Sequence, residues 1–306
     1  MEVNQQLVKN EFDYSNILSQ VKQIFDLLDV SENTREEYKQ RIGLFLIFLK
    51  RFGFNRNSFL EFKHYLNDKI DYSASTKNKY LATSRIFLKE LNRQGLLPTD
   101  ITQNIKSFSQ SKRHKIDGLN DEEISKLITY LQSLSNTNQN TRLKAIFSLL
   151  IFQGLRQCEI TRLKYQDFDP INHTLFVVGK GRDDKELINL HPETVKNIQL
   201  FIKTNHIADG YLLASKSNHN LNNKLSVRGL REIIKTVLSA LDINRNVHGF
   251  RHYFITKLIK NYKGDLLEVA RYTRHRSLEM LQVYNDGIKQ KKDLPRYHKT
   301  FNEISF

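Results

Sequence analysis

The feature that most constrains this chain is how rarely it alternates apolar and polar residues, the pattern of a half-buried strand. Alternation is clear in one place only: HTLFVVG (173–179) and KELINL (185–190) flank the polar turn KGRDD, which predicts a single β-hairpin. Elsewhere apolar residues recur at helical spacing, and 306 residues hold only 4 prolines and 12 glycines to interrupt them. The expected fold is mainly α with a small β-sheet.

Local signals divide this helical pattern. Residues 16–30 (NILSQVKQIFDLLDV) read as one helix. Ser31 offers an N-cap ahead of a second that runs to about Phe52, and a third covers about 57–70. A fourth begins after Ser73, and Gly95 is its expected stop. The connector QSKRHKIDG (110–118) is basic and loop-forming, so it marks the domain boundary. The expected division is a helical domain over 1–110, a linker over 111–118 and a second domain over 119–306. In the second domain Asn120 or Asp121 caps a helix, 135–141 is a loop, and RLKAIFSLLIFQG is a strongly apolar helix. Residues 193–290 are helical in pattern.

Composition narrows the partners. The formal net charge is +15, and the excess lies in both halves rather than in a tail. A polyanion suits such a surface, because each neutralised phosphate releases counterions. Cys158 is the only cysteine, which excludes an intrachain disulfide framework and a cysteine-based zinc site. No apolar run approaches the roughly 18 residues of a membrane span, and the N-terminus lacks an apolar signal core. The chain reads as soluble, cytoplasmic and without a membrane partner.

Four segments of the second half stand out: GLRQCEITRL (154–163), VGKGR (178–182), HGFRHYF (248–254) and RHRSLEMLQVY (274–284). In order and spacing they resemble the catalytic domain of the tyrosine recombinase, or phage integrase, family. That family shows Arg in a G-L-R-x-x-E context, Lys on a β-hairpin, then H-x-x-R. It ends with His or Trp nine residues before a nucleophilic Tyr. The pattern falls here on Arg156 with Glu159 in support, Lys180, His248 with Arg251, His275 and Tyr284. The resemblance spans about 117–290; the first half matches only in size and helical pattern.

The resemblance implies a helical, SAM-like core-binding domain followed by a catalytic domain of the DNA-breaking-rejoining fold. It implies a site-specific recombinase that passes through a 3′-phosphotyrosine intermediate and a Holliday junction. It also implies double-stranded DNA with specific core sites as partner, four protomers on DNA, and a C-terminal tail (285–306) that docks on a neighbouring protomer. No cofactor and no metal are expected. In the first domain Lys77, Lys79 and Arg85 are DNA-contact candidates. Two departures from the pattern stand out. Arg274 occupies the place where the family usually has Gly; it is read as a DNA contact or as a change in how that loop packs. Asp183 and Asp184 make the hairpin acidic just past Lys180, which leaves Lys185 as the reserve lysine.

The same residues make chemical sense by themselves. Phosphodiester cleavage builds negative charge on phosphoryl oxygens, and one preorganised donor aimed there is typically worth about 3–4 kcal/mol. Arginine suits that task because its forked donors match phosphate oxygens and stay charged. A tyrosine hydroxyl, with a pKa of about 10, needs a base or a cationic field, and a histidine can supply the base. A lysine on a mobile hairpin could protonate the leaving 5′-oxygen. His248 and His252 stand at i, i+4, but no acidic partner completes a zinc motif. His252 is read as a packing or capping residue. Two other readings use many of the same features: a type IB topoisomerase and a non-catalytic DNA-binding factor.

Overall fold

The computed structural model describes residues 21, 23–110, 118–179, 181, 184–215, 223–275 and 277–299. The chain forms two compact units, Met1–Ser111 and Lys112–Phe306.

In the first unit, α1 spans Glu32–Phe52, α2 Ser58–Asn67 and α3 Ala74–Arg93. Their starts are set locally. The Ser31 side chain accepts from Thr34 N, and that of Ser73 from Thr76 N. Each such cap stabilises by about 1 kcal/mol. The core is aromatic, with Phe45, Phe59, Phe62 and Phe87 fully buried. Phe45 and Phe62 meet edge to face, ring centroids 4.8 Å apart, the geometry that ring quadrupoles favour. The segment after α3 folds back along it: Asn78 bonds both the N–H and the carbonyl of Phe108, at 2.8 and 2.9 Å.

α3 carries the three residues expected to contact DNA, Lys77, Lys79 and Arg85. The Arg85 guanidinium lies over the Phe59 ring and donates to the Ile105 carbonyl at 2.5 Å. The Lys77 ammonium donates to the Asn67 carbonyl at 2.7 Å. Both cations brace the unit internally. Lys79 is exposed.

In the second unit, α4 (Asp121–Ser133) starts at an Asn120–Glu123 capping box. The next helix, α5 (Asn138–Gln153), begins inside the expected 135–141 loop, because the Thr137 side chain caps it by accepting from Asn140 N. Ten of its residues, Ile146, Phe147, Leu149 and Leu150 among them, are buried; a helix apolar on most sides belongs at the centre of a core. Then come α6 (Gln157–Ile160), β1 (Phe168–Asp169), β2 (Thr174–Val178) and β3 (Lys185–Asn189). The strands form an antiparallel sheet in the order β1-β2-β3. β2 and β3 are the expected hairpin, whereas β1 has two residues, too few for a periodicity to register.

Four helices carry the rest: α7 (Pro192–Asn205), α8 (Val227–Ala240), α9 (His248–Asn261) and α10 (Leu266–Thr273). They lead into α11 (Leu278–Lys299). The helical reading of 193–290 breaks after α7, where His206 adopts a left-handed cap at φ 51°. Beyond it the chain makes isolated bridges, Lys164 to Tyr211 and Ala214 to Lys224. The expected tail is not a separate segment at its start, since α11 runs from before Tyr284 through Pro295 to Lys299. A small core of Ile255, Ile259, Val269 and Leu281 joins α9, α10 and α11, and Tyr284 packs against it. No helix among the described residues is long and apolar enough to cross a membrane.

Candidate active site

The site is built where α5 ends, α9 begins and α10 hands over to α11. Gly154 closes α5 with φ 56°, and a Cβ there would stand 2.3 Å from the Phe254 ring. Only glycine fits both demands. The chain then turns through Leu155 into the short α6, and Arg156 sits at its N-cap with extended backbone.

Glu159 is the hub beneath Arg156. Its side chain is 1% exposed. It accepts from Arg156 N at 2.8 Å, from Arg156 Nη1 at 2.9 Å and from Arg274 Nη2 at 2.8 Å. Burial opposes ionisation of this carboxyl, yet Arg274, the backbone N–H and Arg156 outweigh it and hold its pKa below the usual value.

α9 presents His248, Arg251 and His252 within its first turn and a half. Arg251 is 3% exposed. Its Nη1 donates to the Gly154 carbonyl at 2.8 Å and its Nη2 to the Thr273 carbonyl at 2.5 Å. Burial, then the charge of Arg156, lowers its pKa to about 10, so the guanidinium remains a cation at neutral pH.

The turn after α10 supplies His275. Arg274 caps α10 in the left-handed region at φ 56°, a conformation that costs a non-glycine residue roughly 1–2 kcal/mol. Its side chain is 5% exposed and committed to Glu159. Read from the sequence as a DNA contact or as a change in how the loop packs, Arg274 meets a buried carboxylate here. His275 Nδ1 and Thr273 Oγ1 share a hydrogen bond of 2.7 Å. Burial, followed by Arg251, Arg156, Arg274 and His248, lowers the His275 pKa to about 4, which keeps the imidazole neutral at pH 7.

Tyr284 lies in the second turn of α11. Its hydroxyl and His252 Nδ1 share a hydrogen bond of 2.5 Å. His252 in turn meets His248 edge to face, ring centroids 4.6 Å apart. Burial pushes the Tyr284 pKa up to about 12, with Arg251 pulling the other way. Residues expected from three of the four segments, GLRQCEITRL, HGFRHYF and RHRSLEMLQVY, are thus linked by direct contacts. His252, read from the sequence as a packing or capping residue, meets the Tyr284 hydroxyl. Its signal was its place directly after Arg251 and one helical turn from His248.

Lys180, Arg182 and Asp183 lie outside the described residues. The base of their hairpin is held on both sides. Arg162 Nη1 donates to the Gly179 carbonyl at 3.1 Å. Lys185, the reserve lysine, is ion-paired with the buried carboxylate of Asp167, which makes it a brace for β3. An open cleft of about 950 Å³ adjoins His248, and Arg231, Lys235 and Arg245 line it. Among the described residues no cluster of three or more His, Cys, Asp or Glu could hold a metal ion.

The chemistry available is therefore a phenol beside a histidine, faced by two arginines and a neutral imidazole. Such a set can hold a tetrahedral phosphate diester and place an oxygen nucleophile against it.

Residues 118–291 match the phage integrase family. Tyrosine recombinase XerC of Halalkalibacterium halodurans is 30% identical over 252 residues, covering 77% of this chain and 80% of that protein. The fold is similar to that of the XerH site-specific recombinase bound to palindromic difH substrate, with a TM-score of 0.73 and 19% identity. That similarity covers 92% of this chain and 84% of the other. It is also similar to a lambda integrase tetramer bound to a Holliday junction, with a TM-score of 0.65 and 15% identity, covering 88% of this chain and 76% of the other. With the family matched over more than half its length, the chain belongs to the phage integrase family of tyrosine recombinases.

Proposed function

We propose that this protein is a site-specific DNA recombinase that cleaves and rejoins strands through Tyr284. The Tyr284 oxygen attacks the scissile phosphorus and forms a 3′-phosphotyrosyl ester while the bond to the 5′-oxygen breaks. The phenolic proton passes to a histidine of α9. The 5′-oxygen takes a proton from the hairpin lysine, assigned here to Lys180. Arg156 and Arg251 carry the charge that grows on the phosphoryl oxygens, and neutral His275 adds a hydrogen bond. The ester keeps the energy of the broken bond, so rejoining to a new 5′-hydroxyl calls for no nucleotide.

The observation that carries this reading is the convergence of Arg156, Arg251, His275 and the Tyr284–His252 pair from three segments far apart in the chain. Exchange between two duplexes through a Holliday junction requires four such centres, so the working form is a homotetramer on paired core sites. The helical continuation of α11 beyond Tyr284 is a suitable arm for docking on a neighbouring protomer. Such exchange serves integration and excision of an element, dimer resolution or cointegrate resolution, and places the protein with cytoplasmic, nucleoid-associated DNA.

The test has two arms. DNA flanking the gene is screened for a footprint, and nicked duplexes of that site are used to trap a covalent adduct. Tyr284→Phe should bind the site and form no adduct. A supercoiled plasmid without the site should stay supercoiled. Relaxation of that plasmid would point to a type IB topoisomerase instead, and binding without any wild-type adduct to a non-catalytic factor.

A further inference from the structure

Arg274 stands between two halves of the site. It is the middle residue of Thr273-Arg274-His275, whose first two residues reach different members of the centre and whose third is itself a member. The Thr273 carbonyl accepts from Arg251, Arg274 donates to Glu159, and His275 bonds back to Thr273 Oγ1. Glu159 is the sole carboxylate within hydrogen-bonding reach of Arg156 among the described residues. It is almost fully enclosed, and its two oxygens are shared among the Arg156 backbone, the Arg156 guanidinium and Arg274.

We propose that Arg274 is a positioning residue, which locks Glu159 so that Arg156 is held in one orientation toward the phosphate. The proposal rests on the recombinase reading and deepens it.

Two features of Arg274 support a positioning role over contact with DNA. Its Nη2 is 2.8 Å from a carboxylate, within charge-assisted hydrogen-bond range. Its backbone is held in the left-handed region at φ 56°, where glycine would be unstrained. An arginine kept at a position where its backbone is disfavoured needs a compensating contact, and the Glu159 pair supplies one.

The pair also has a consequence for Arg156. With only the Arg156 guanidinium to neutralise it, the buried Glu159 carboxylate would draw that group inward and compete with a phosphate for its donors. Arg274 satisfies part of the carboxylate and leaves donors of Arg156 for the substrate. Charged hydrogen bonds of this kind are worth enough that losing one costs roughly ten- to a hundred-fold in a rate that depends on it.

The test is single-turnover adduct formation at saturating core-site DNA, with binding measured separately over a range of salt. Arg274→Gly, which suits the turn, should keep the fold by thermal melting. It should keep the affinity and salt slope for DNA and lose about ten- to a hundred-fold in cleavage. Arg274→Lys, which retains a charge and part of the reach, should recover some of that loss. In an Arg156→Ala background the same Arg274→Gly change should cost less than about threefold, because contacting residues that act through one another are not additive. An equal loss in both backgrounds would show that Arg274 acts independently of Arg156. A weaker affinity with a reduced salt slope and normal cleavage would make it a phosphate contact. Normal cleavage and normal affinity would leave it no role in the centre. Each of these three results overturns the proposal. Absence of an adduct from the unaltered protein would instead remove the recombinase reading, and the proposal with it.

Discussion

The Tyr284 hydroxyl and Nδ1 of His252 lie 2.5 Å apart, a hydrogen bond between two residues 32 positions apart in the chain. The phenol is pushed up to about 12 by burial, so at neutral pH it carries its proton and needs an acceptor as it attacks. His252 is in contact, and its own ring is 5% exposed and braced by His248. Replacing His252 with Phe keeps a ring of similar size and removes the acceptor. Single-turnover cleavage should fall by at least about a hundred-fold, within the range of general-base contributions, while DNA affinity is unchanged. Near-normal cleavage in this variant would return His252 to a packing role.

The two arginines should separate by their effect on stability. Arg251 donates to the carbonyls of Gly154 and Thr273, and its removal leaves two buried acceptors unsatisfied at about 1–3 kcal/mol each. Arg156 is more open, its side chain 30% exposed, and Arg274 still satisfies Glu159 when it is gone. Arg251→Ala should therefore lower both melting temperature and cleavage. Arg156→Ala should cut cleavage by about 10²–10³-fold with little effect on melting. Equal melting losses in the two variants would contradict the clamp assigned to Arg251.

His275 titrates in a cationic, partly dry place. Burial comes first and the charges of Arg251, Arg156, Arg274 and His248 follow, all disfavouring the imidazolium and bringing the pKa to about 4. Glu159, His252 and Tyr284 are the other titratable groups of the centre. The folded pKa is below the unfolded value of about 6.5. The neutral ring thus contributes stability that is full above pH 6.5 and declines as pH falls from there toward 4. In the protein without DNA, the ring signals followed by NMR should titrate with a midpoint near 4. Core-site DNA should raise that midpoint, because a phosphate beside the ring offsets the arginines. A midpoint at or above 6.5 without DNA would contradict this arrangement.

The hairpin lysines should behave differently from each other. Lys185 is tied to Asp167, so Lys185→Ala should loosen the base of β3 and lower the melting temperature. Lys180→Ala should leave melting unchanged and slow the cleavage of ordinary DNA. A substrate with sulfur at the 5′-bridging position leaves without a proton, and it should restore Lys180→Ala to nearly the unaltered rate. Rescue of Lys185→Ala in its place would move the general acid past the turn. Rescue of neither would reduce the hairpin lysine to a phosphate contact.

What the sequence determined by itself is what depends on neighbours a few residues away. Ser31, Ser73 and Asn120 cap helices through bonds to residues three positions on, and a side chain followed by its N3 residue is visible in any reading of the chain. The β2–β3 hairpin was legible because its turn and both strands are contiguous. Arg156, His248, Arg251, His275 and Tyr284 were legible as a set because their types and spacings recur in a family. Tertiary structure alone decided which of these side chains touch. The Arg274–Glu159 pair spans 115 positions and the Arg251–Gly154 bond 97, and no local propensity reports on such separations. For the same reason Arg85 and Lys77 looked like free cations on a helix face, although carbonyls 20 and 10 residues away hold them. A charged side chain reads identically in sequence whether it faces solvent, a phosphate or a buried partner. Only the fold, by bringing a specific acceptor to within hydrogen-bond distance and excluding water around it, decides which it is.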